Sequence, residues 1–145
     1  MARPARVYEI LEKANKLGKK EERIEYLREN EGTALKDILR IALDNTISLD
    51  ALPEGTPPYK AFEPTENRPD PVKELLYEYG QFRNFIKRIT PNLNQFKRET
   101  MFVDLLESIH PEDAKLLCDA KDKNLKLKYI TKALVKAAFP DLIVK

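Results

Sequence analysis

The chain has no tryptophan, one cysteine, one histidine and only four glycines in 145 residues. Each scarcity closes a class of chemistry. A single cysteine, Cys118, forms neither an intrachain disulfide nor a thiolate metal cluster. Glycines at 18, 32, 55 and 80 leave no room for a Gly-rich phosphate loop. One histidine, His110, serves no Ser-His-Asp arrangement that spacing identifies. No run reaches the roughly 20 apolar residues of a membrane span, and MARPARVYEI lacks the apolar centre of a signal peptide, so a cytoplasmic protein without membrane contact is expected. Charge is also nearly balanced, with 26 basic and 24 acidic residues giving +2. The chain as a whole therefore has no strong preference for a polyanion, although the half after Pro71 carries the basic excess.

What remains is helical periodicity. Val7, Ile10, Leu11, Ala14 and Leu17 recur at spacings of three and four, the stripe of an amphipathic helix, with Gly18 expected as its left-handed stop. A charged helix over Lys19 to Glu29 follows, with Ile24 and Leu27 as apolar contacts. Thr33 suits the N-cap of a third helix carrying Leu35, Ile38, Leu39 and Ala42. Six prolines between Pro53 and Pro71 then forbid helix, and LPEGTPPYKAF is read as an extended arm packed on a helical cluster, with Glu63 to Asp70 as its mobile part. Asp70 and Pro71 suit the start of a long helix through Leu75, Leu76, Tyr79, Phe82, Phe85, Ile86 and Ile89. In that helix Gly80 would mark a close crossing or a kink.

Three further helices are expected. One spans about Gln95 to Ser108 with Phe96, Phe102, Leu105 and Leu106 inward. Another starts at Pro111, where Glu112 and Asp113 meet the positive end of the helix dipole. The last is capped by Thr131 and ended by Phe139 and Pro140. The expected fold is all-α, with an N-terminal three-helix cluster (1–52), a proline-rich connection (53–71) and a C-terminal unit of about four helices (72–145). The two clusters are free to pack as one domain.

Little here carries catalysis. His110 lies in a turn beside Pro111, where capping is the plain role, and a general base needs a partner in a pocket. Cys118 sits at a core spacing, and a reactive thiol needs an activating cation. Glu21 with Glu22, and Glu112 with Asp113, lack the alternating oxygen ligands of a calcium loop. The chain is read as non-catalytic, with no cofactor and no metal.

Two surfaces invite an interaction. No acidic residue occurs between Glu78 and Glu99, where Arg83, Lys87, Arg88, Lys97 and Arg98 accumulate. A second cluster, Lys121, Lys123, Lys126, Lys128, Lys132 and Lys136, surrounds the last helix, with Tyr129 available for stacking on a base. These are candidate phosphate contacts, but the last helix offers no Arg, Asn or Gln of the kind that reads base edges. The alternative is a protein surface formed by Tyr59, Phe62, Tyr77 and Tyr79, aromatics in or near the proline arm.

The segments LPEGTPPY, FVDLLESIHPEDAKLLCDAKD and ITKALVKAAFPDL together resemble an uncharacterised family of small proteins from T4-like bacteriophages, especially those infecting cyanobacteria. LLESIHPEDAKLL and the terminal AFPDL are the most specific pieces. The resemblance brings no active site. It implies a viral protein in the cytoplasm of the infected bacterial host, or a minor component of the particle. The leading expectation is an accessory protein that binds a viral or host protein, with nucleic-acid binding as the alternative.

Overall fold

The computed structural model describes residues 3–145, which form six α-helices and two 3-10 helices with no strand among them. The fold is all-α. Helix α1 (Val7–Lys16) buries Val7, Ile10, Leu11 and Ala14, the face its periodicity marks. It ends at Leu17 in extended backbone, and Gly18 takes no left-handed conformation, so the expected glycine stop is absent. Helix α2 (Lys20–Glu29) buries only Leu27, in keeping with its charged sequence. Helix α3 (Thr33–Leu43) is capped by Gly32 rather than Thr33 and buries six apolar residues, from Ala34 to Ala42.

The segment read as one long helix from Pro71 to Ile89 is corrected by the structure. It consists of two 3-10 helices, Leu75–Tyr77 and Tyr79–Phe85. Neither Asp70 nor Pro71 starts a helix. In 3-10 geometry residues three apart eclipse, which aligns Tyr79, Phe82 and Phe85 and lets Phe82 and Phe85 bury while Tyr79 stays at the surface. A Cβ on Gly80 would meet nothing, so neither a close crossing nor steric need explains that glycine.

Helix α4 (Gln95–Ser108) begins at Asn94, whose side chain accepts the Lys97 N–H at 3.0 Å. It buries Phe102, Leu105 and Leu106, but Phe96 is 81% exposed, against the expected inward position. Helix α5 (Pro111–Lys121) is capped by His110, and α6 (Lys132–Ala138) by Thr131, whose hydroxyl accepts the Leu134 N–H at 3.2 Å.

Helix α1 packs on α2 and α5, α3 on α5, α4 on α5, and α2 on α6. One apolar cluster runs from Val7 to Ile143 through every helix. At its centre Phe85 and Phe102 meet edge to face, 5.2 Å between centroids, an arrangement worth about 1 kcal/mol beyond area burial.

The proline arm packs on the helices. The Gly55 N–H donates to both oxygens of Asp122 at 3.2 Å, and the Lys60 N–H donates to Glu107 at 2.8 Å. Gly55 has φ of +84°, a conformation in which a side chain would be strained. Residues 63–70 are all exposed, with a tight turn between Thr65 and Arg68.

Candidate functional site

The 3-10 segment forms one wall of a groove whose other wall is α3. Thr33, Asp37, Arg40 and Ile41 of α3, with Ile47, face Tyr79, Phe82, Arg83, Ile86 and Ile89 across a depression of about 400 Å³. Its floor is apolar. Ile89 is 43% and Tyr79 38% exposed, so two large apolar side chains stand at the rim unburied. The rest of the rim is charged. Arg40 has its Nε buried without a hydrogen-bond partner, Arg83 is exposed, and burial pushes the Asp37 carboxyl above its ordinary value, against the pull of Arg40.

Among the aromatics expected to form a protein surface, only Tyr79 lies in this groove. Tyr59 packs partly buried against the core, and Phe62 is half-buried on the arm. Tyr77 is exposed at 63% but does not line the groove.

The first basic cluster is real at the surface, with one correction. Arg83, Lys87, Arg88 and Lys97 are exposed, whereas Arg98 is buried. The Arg98 guanidinium donates to the carbonyl oxygens of Asn84, at 2.9 Å, and Thr90, and to the Gln95 side chain. It is a brace that holds the 3-10 segment on α4, because a buried guanidinium must spend its donors on fixed acceptors.

The second cluster is largely spent on the protein itself. Lys121 is buried and donates to the Pro53 carbonyl at 2.8 Å and to Asp122. Lys123 donates to the carbonyls of Ile41, Asp44 and Ile47. It sits at φ 55°, past the end of α5 where glycine is usual. Lys132 donates to the Lys145 carbonyl at 2.6 Å, and Lys126 pairs with Asp119 at 3.4 Å. Lys121 and Lys123 therefore leave the set of candidate phosphate ligands, while Lys128 and Lys136 remain exposed.

The nucleophile and base candidates have structural partners. His110 Nδ1 accepts the Glu112 N–H at 3.1 Å, and its ring stacks on Tyr8 with 4.8 Å between centroids. Burial, with Arg6 nearby, lowers the His110 pKa. The Cys118 thiol is buried, which pushes its pKa up, the opposite of activation. No group of three His, Cys, Asp or Glu side chains suited to a metal occurs among the described residues.

Periodicity gave no sign of the polar junction where α1, the 3-10 segment and α5 meet. Arg6 reaches Glu74 with a two-point contact, Nε to Oε1 at 2.9 Å and Nη2 to Oε2 at 3.1 Å. Beside it Asp113 is fully buried. One Asp113 oxygen accepts the Tyr8 N–H at 2.9 Å and the other has no partner. Burial, helped by the Glu74 charge, raises this carboxyl to about 7 against the opposing pull of the Tyr8 N–H and of Arg6. The partners are separated by up to 105 residues, so no local pattern announces them.

Fold and surface together define an all-helical protein with an apolar groove rimmed by charge and a set of basic side chains outside it. Residues 10–127 match the model of a family of unknown function, DUF6433, and the chain belongs to that family. No curated protein and no solved structure matches it.

Proposed function

We propose that this chain is a non-catalytic accessory protein that docks a segment of another protein in the groove between α3 and the 3-10 segment. The observation that carries this reading is the pair Tyr79 and Ile89, large apolar side chains left exposed at the rim of an apolar floor. Exposed apolar groups gathered around a depression are what a partner's anchoring side chain covers.

Charge supports a particular kind of occupant. Residues 79–98 contain no acidic side chain, and Arg83, Lys87 and Arg88 stand exposed beside the groove. A partner segment that places one or two apolar residues next to carboxylates satisfies both features, with the carboxylates meeting Arg83 and the Arg40 guanidinium. The sequence resemblance to phage proteins sets the context we propose: the partner is viral or host and is met in the infected bacterium.

Affinity purification of the tagged chain from infected cells, with nuclease present, tests the reading. The wild type is expected to retain a partner that Ile89→Glu loses, while Lys136→Glu, on α6, keeps it. Equal recovery with wild type and Ile89→Glu contradicts it.

A further inference from the structure

Two stretches without acidic residues, 13–20 and 123–140, lie more than a hundred residues apart and meet in the structure. The contact is made at Tyr129. Its N–H donates to Asn15 Oδ1 on α1 at 2.9 Å, and the Arg23 guanidinium of α2 lies over its ring, 4.4 Å from the centroid. The Lys128 ammonium approaches the same ring at 5.3 Å. Lys16 ends α1, and Lys19 and Lys20 open α2. All three are exposed and make no ion pair among the described residues.

Helical geometry sets the side on which these charges fall. Lys20 precedes Arg23 by three residues and shares its face, and Lys19 is the extended cap residue immediately before the helix. Glu21 and Glu25 lie about 160° around the helix from Arg23 at 3.6 residues per turn, and Glu22 lies at the flank. Arg23 itself meets no carboxylate among the described residues, and its Nε is buried without a hydrogen-bond partner. Acidic charge bounds the surface at its flanks: Glu22 on α2, Glu12 one turn before Lys16 on α1, and Asp119, which is paired with Lys126.

We infer that Lys16, Lys19, Lys20, Arg23, Lys128 and Tyr129 form a binding site for single-stranded nucleic acid. The four lysines take phosphates, and the Tyr129 ring, 44% exposed and held in place by Arg23, takes a base. A ring bordered by cations that form no ion pair is the pairing that binds single strands: stacking tolerates any base, and phosphates supply most of the attraction. A duplex offers phosphates but no free base face, so it binds less well. This site is separate from the α3 groove and does not depend on it.

The test is fluorescence anisotropy of a labelled oligo(dT) of about 20 nucleotides, titrated with the full chain between 50 and 200 mM salt. Four phosphate contacts predict a slope of about −3 for log K against log salt, at roughly −0.7 per contact. Tyr129→Ala is expected to weaken binding about tenfold and Tyr129→Phe to leave it unchanged. The triple variant Lys16→Glu, Lys19→Glu, Lys20→Glu is expected to weaken it at least a hundredfold and flatten the slope. Lys87→Glu with Arg88→Glu, outside this surface, leaves binding as it was. Circular dichroism of each variant separates lost binding from lost folding. No binding at 50 mM salt overturns the inference. So does equal binding to a duplex or to polyglutamate, or a loss on Lys87→Glu with Arg88→Glu as large as on the triple variant.

Discussion

Arg6, at the threshold of α1, and Glu74, at the threshold of the first 3-10 helix, face each other as a two-point ion pair 68 residues apart in the chain. The Arg6 side chain is only 7% exposed and that of Glu74 25%. Such a pair holds the N-terminal helix against the middle of the chain, and its worth lies in mutual satisfaction more than in net energy. Glu74→Gln leaves the buried guanidinium with only the longer contact to the exposed Asp70 carboxylate, 3.5 Å away, and is expected to cost about 2 kcal/mol. Arg6→Met with Glu74→Leu removes both charges and costs less than either single change. Urea denaturation of the three variants measures the difference, and a double variant as unstable as the sum of the singles would refute the pairing.

A second anchor closes the C-terminus. Asp44, fully buried, accepts the N–H groups of Thr46 and Val144 at 2.8 Å each, the Thr46 hydroxyl at 2.7 Å and the Lys145 N–H at 3.3 Å. Burial alone would raise its pKa, but these donors outweigh burial and hold the carboxyl well below the usual carboxylate range. Asp44→Ala leaves those donors without their acceptor and is expected to cost about 2 to 3 kcal/mol, read as a lower urea midpoint. Faster hydrogen exchange at Val144 and Lys145 should accompany it.

The titration of Asp113 runs the other way. Its folded pKa of about 7 exceeds its ordinary 3.8, so the folded state holds a proton that the unfolded state releases, and stability rises as pH falls from about 8 toward 4. Glu9, lowered to about 2 chiefly by the Arg3 guanidinium, and Asp44 contribute stability that is present above their unfolded pKa values and lost below. Together these carboxyls predict greatest stability near pH 4 to 5 with a decline on either side, and His110, whose folded pKa is lowered from 6.5, adds stability as pH rises toward 6.5 and makes the alkaline decline shallower. Asp113→Asn should abolish the decline between pH 5 and 8 while leaving the acid limb, as thermal denaturation across pH will show.

How much of this was legible in the residues depends on whether local pattern or distant partners decided the outcome. Helices α4, α5 and α6 were visible because stripe and cap agree: Phe102, Leu105 and Leu106 on one face, Pro111 at a first helical position, Thr131 at a cap. The 72–89 segment was misread because Leu75, Tyr79, Phe82, Phe85 and Ile86 satisfy a helical stripe as well as the threefold spacing of a 3-10 run. Nothing local says that the Arg98 guanidinium will hold the Asn84 and Thr90 carbonyls, or that Glu74 will be fixed by Arg6. The candidate sites divide the same way. Tyr79 and Arg83 could be nominated from composition, but Asp37, Arg40 and Ile47 come to them through packing alone. Equally, a run of lysines does not reveal which of its ammonium groups will be consumed by carbonyls, as those of Lys121 and Lys123 are.

The groove makes a prediction about stability as well as binding. Tyr79→Ala and Ile89→Ala remove rim side chains that the fold does not bury, so each should change unfolding free energy by no more than about 1 kcal/mol. Phe82→Ala and Ile86→Ala, on buried floor positions, should cost about 2 to 4 kcal/mol. Thermal denaturation of the four variants separates rim side chains that the fold does not need from floor side chains that it does.

Site-specific photo-crosslinking asks whether the α3 groove docks a protein, as we propose. A benzophenone amino acid placed at Ile89, in the infected bacterium we propose as its setting, should give a discrete protein adduct, competed by excess unlabelled chain, while the same probe at the more exposed Phe96 of α4 gives none. Absence of an adduct at Ile89, or the same adduct in equal yield from Phe96, would contradict the account.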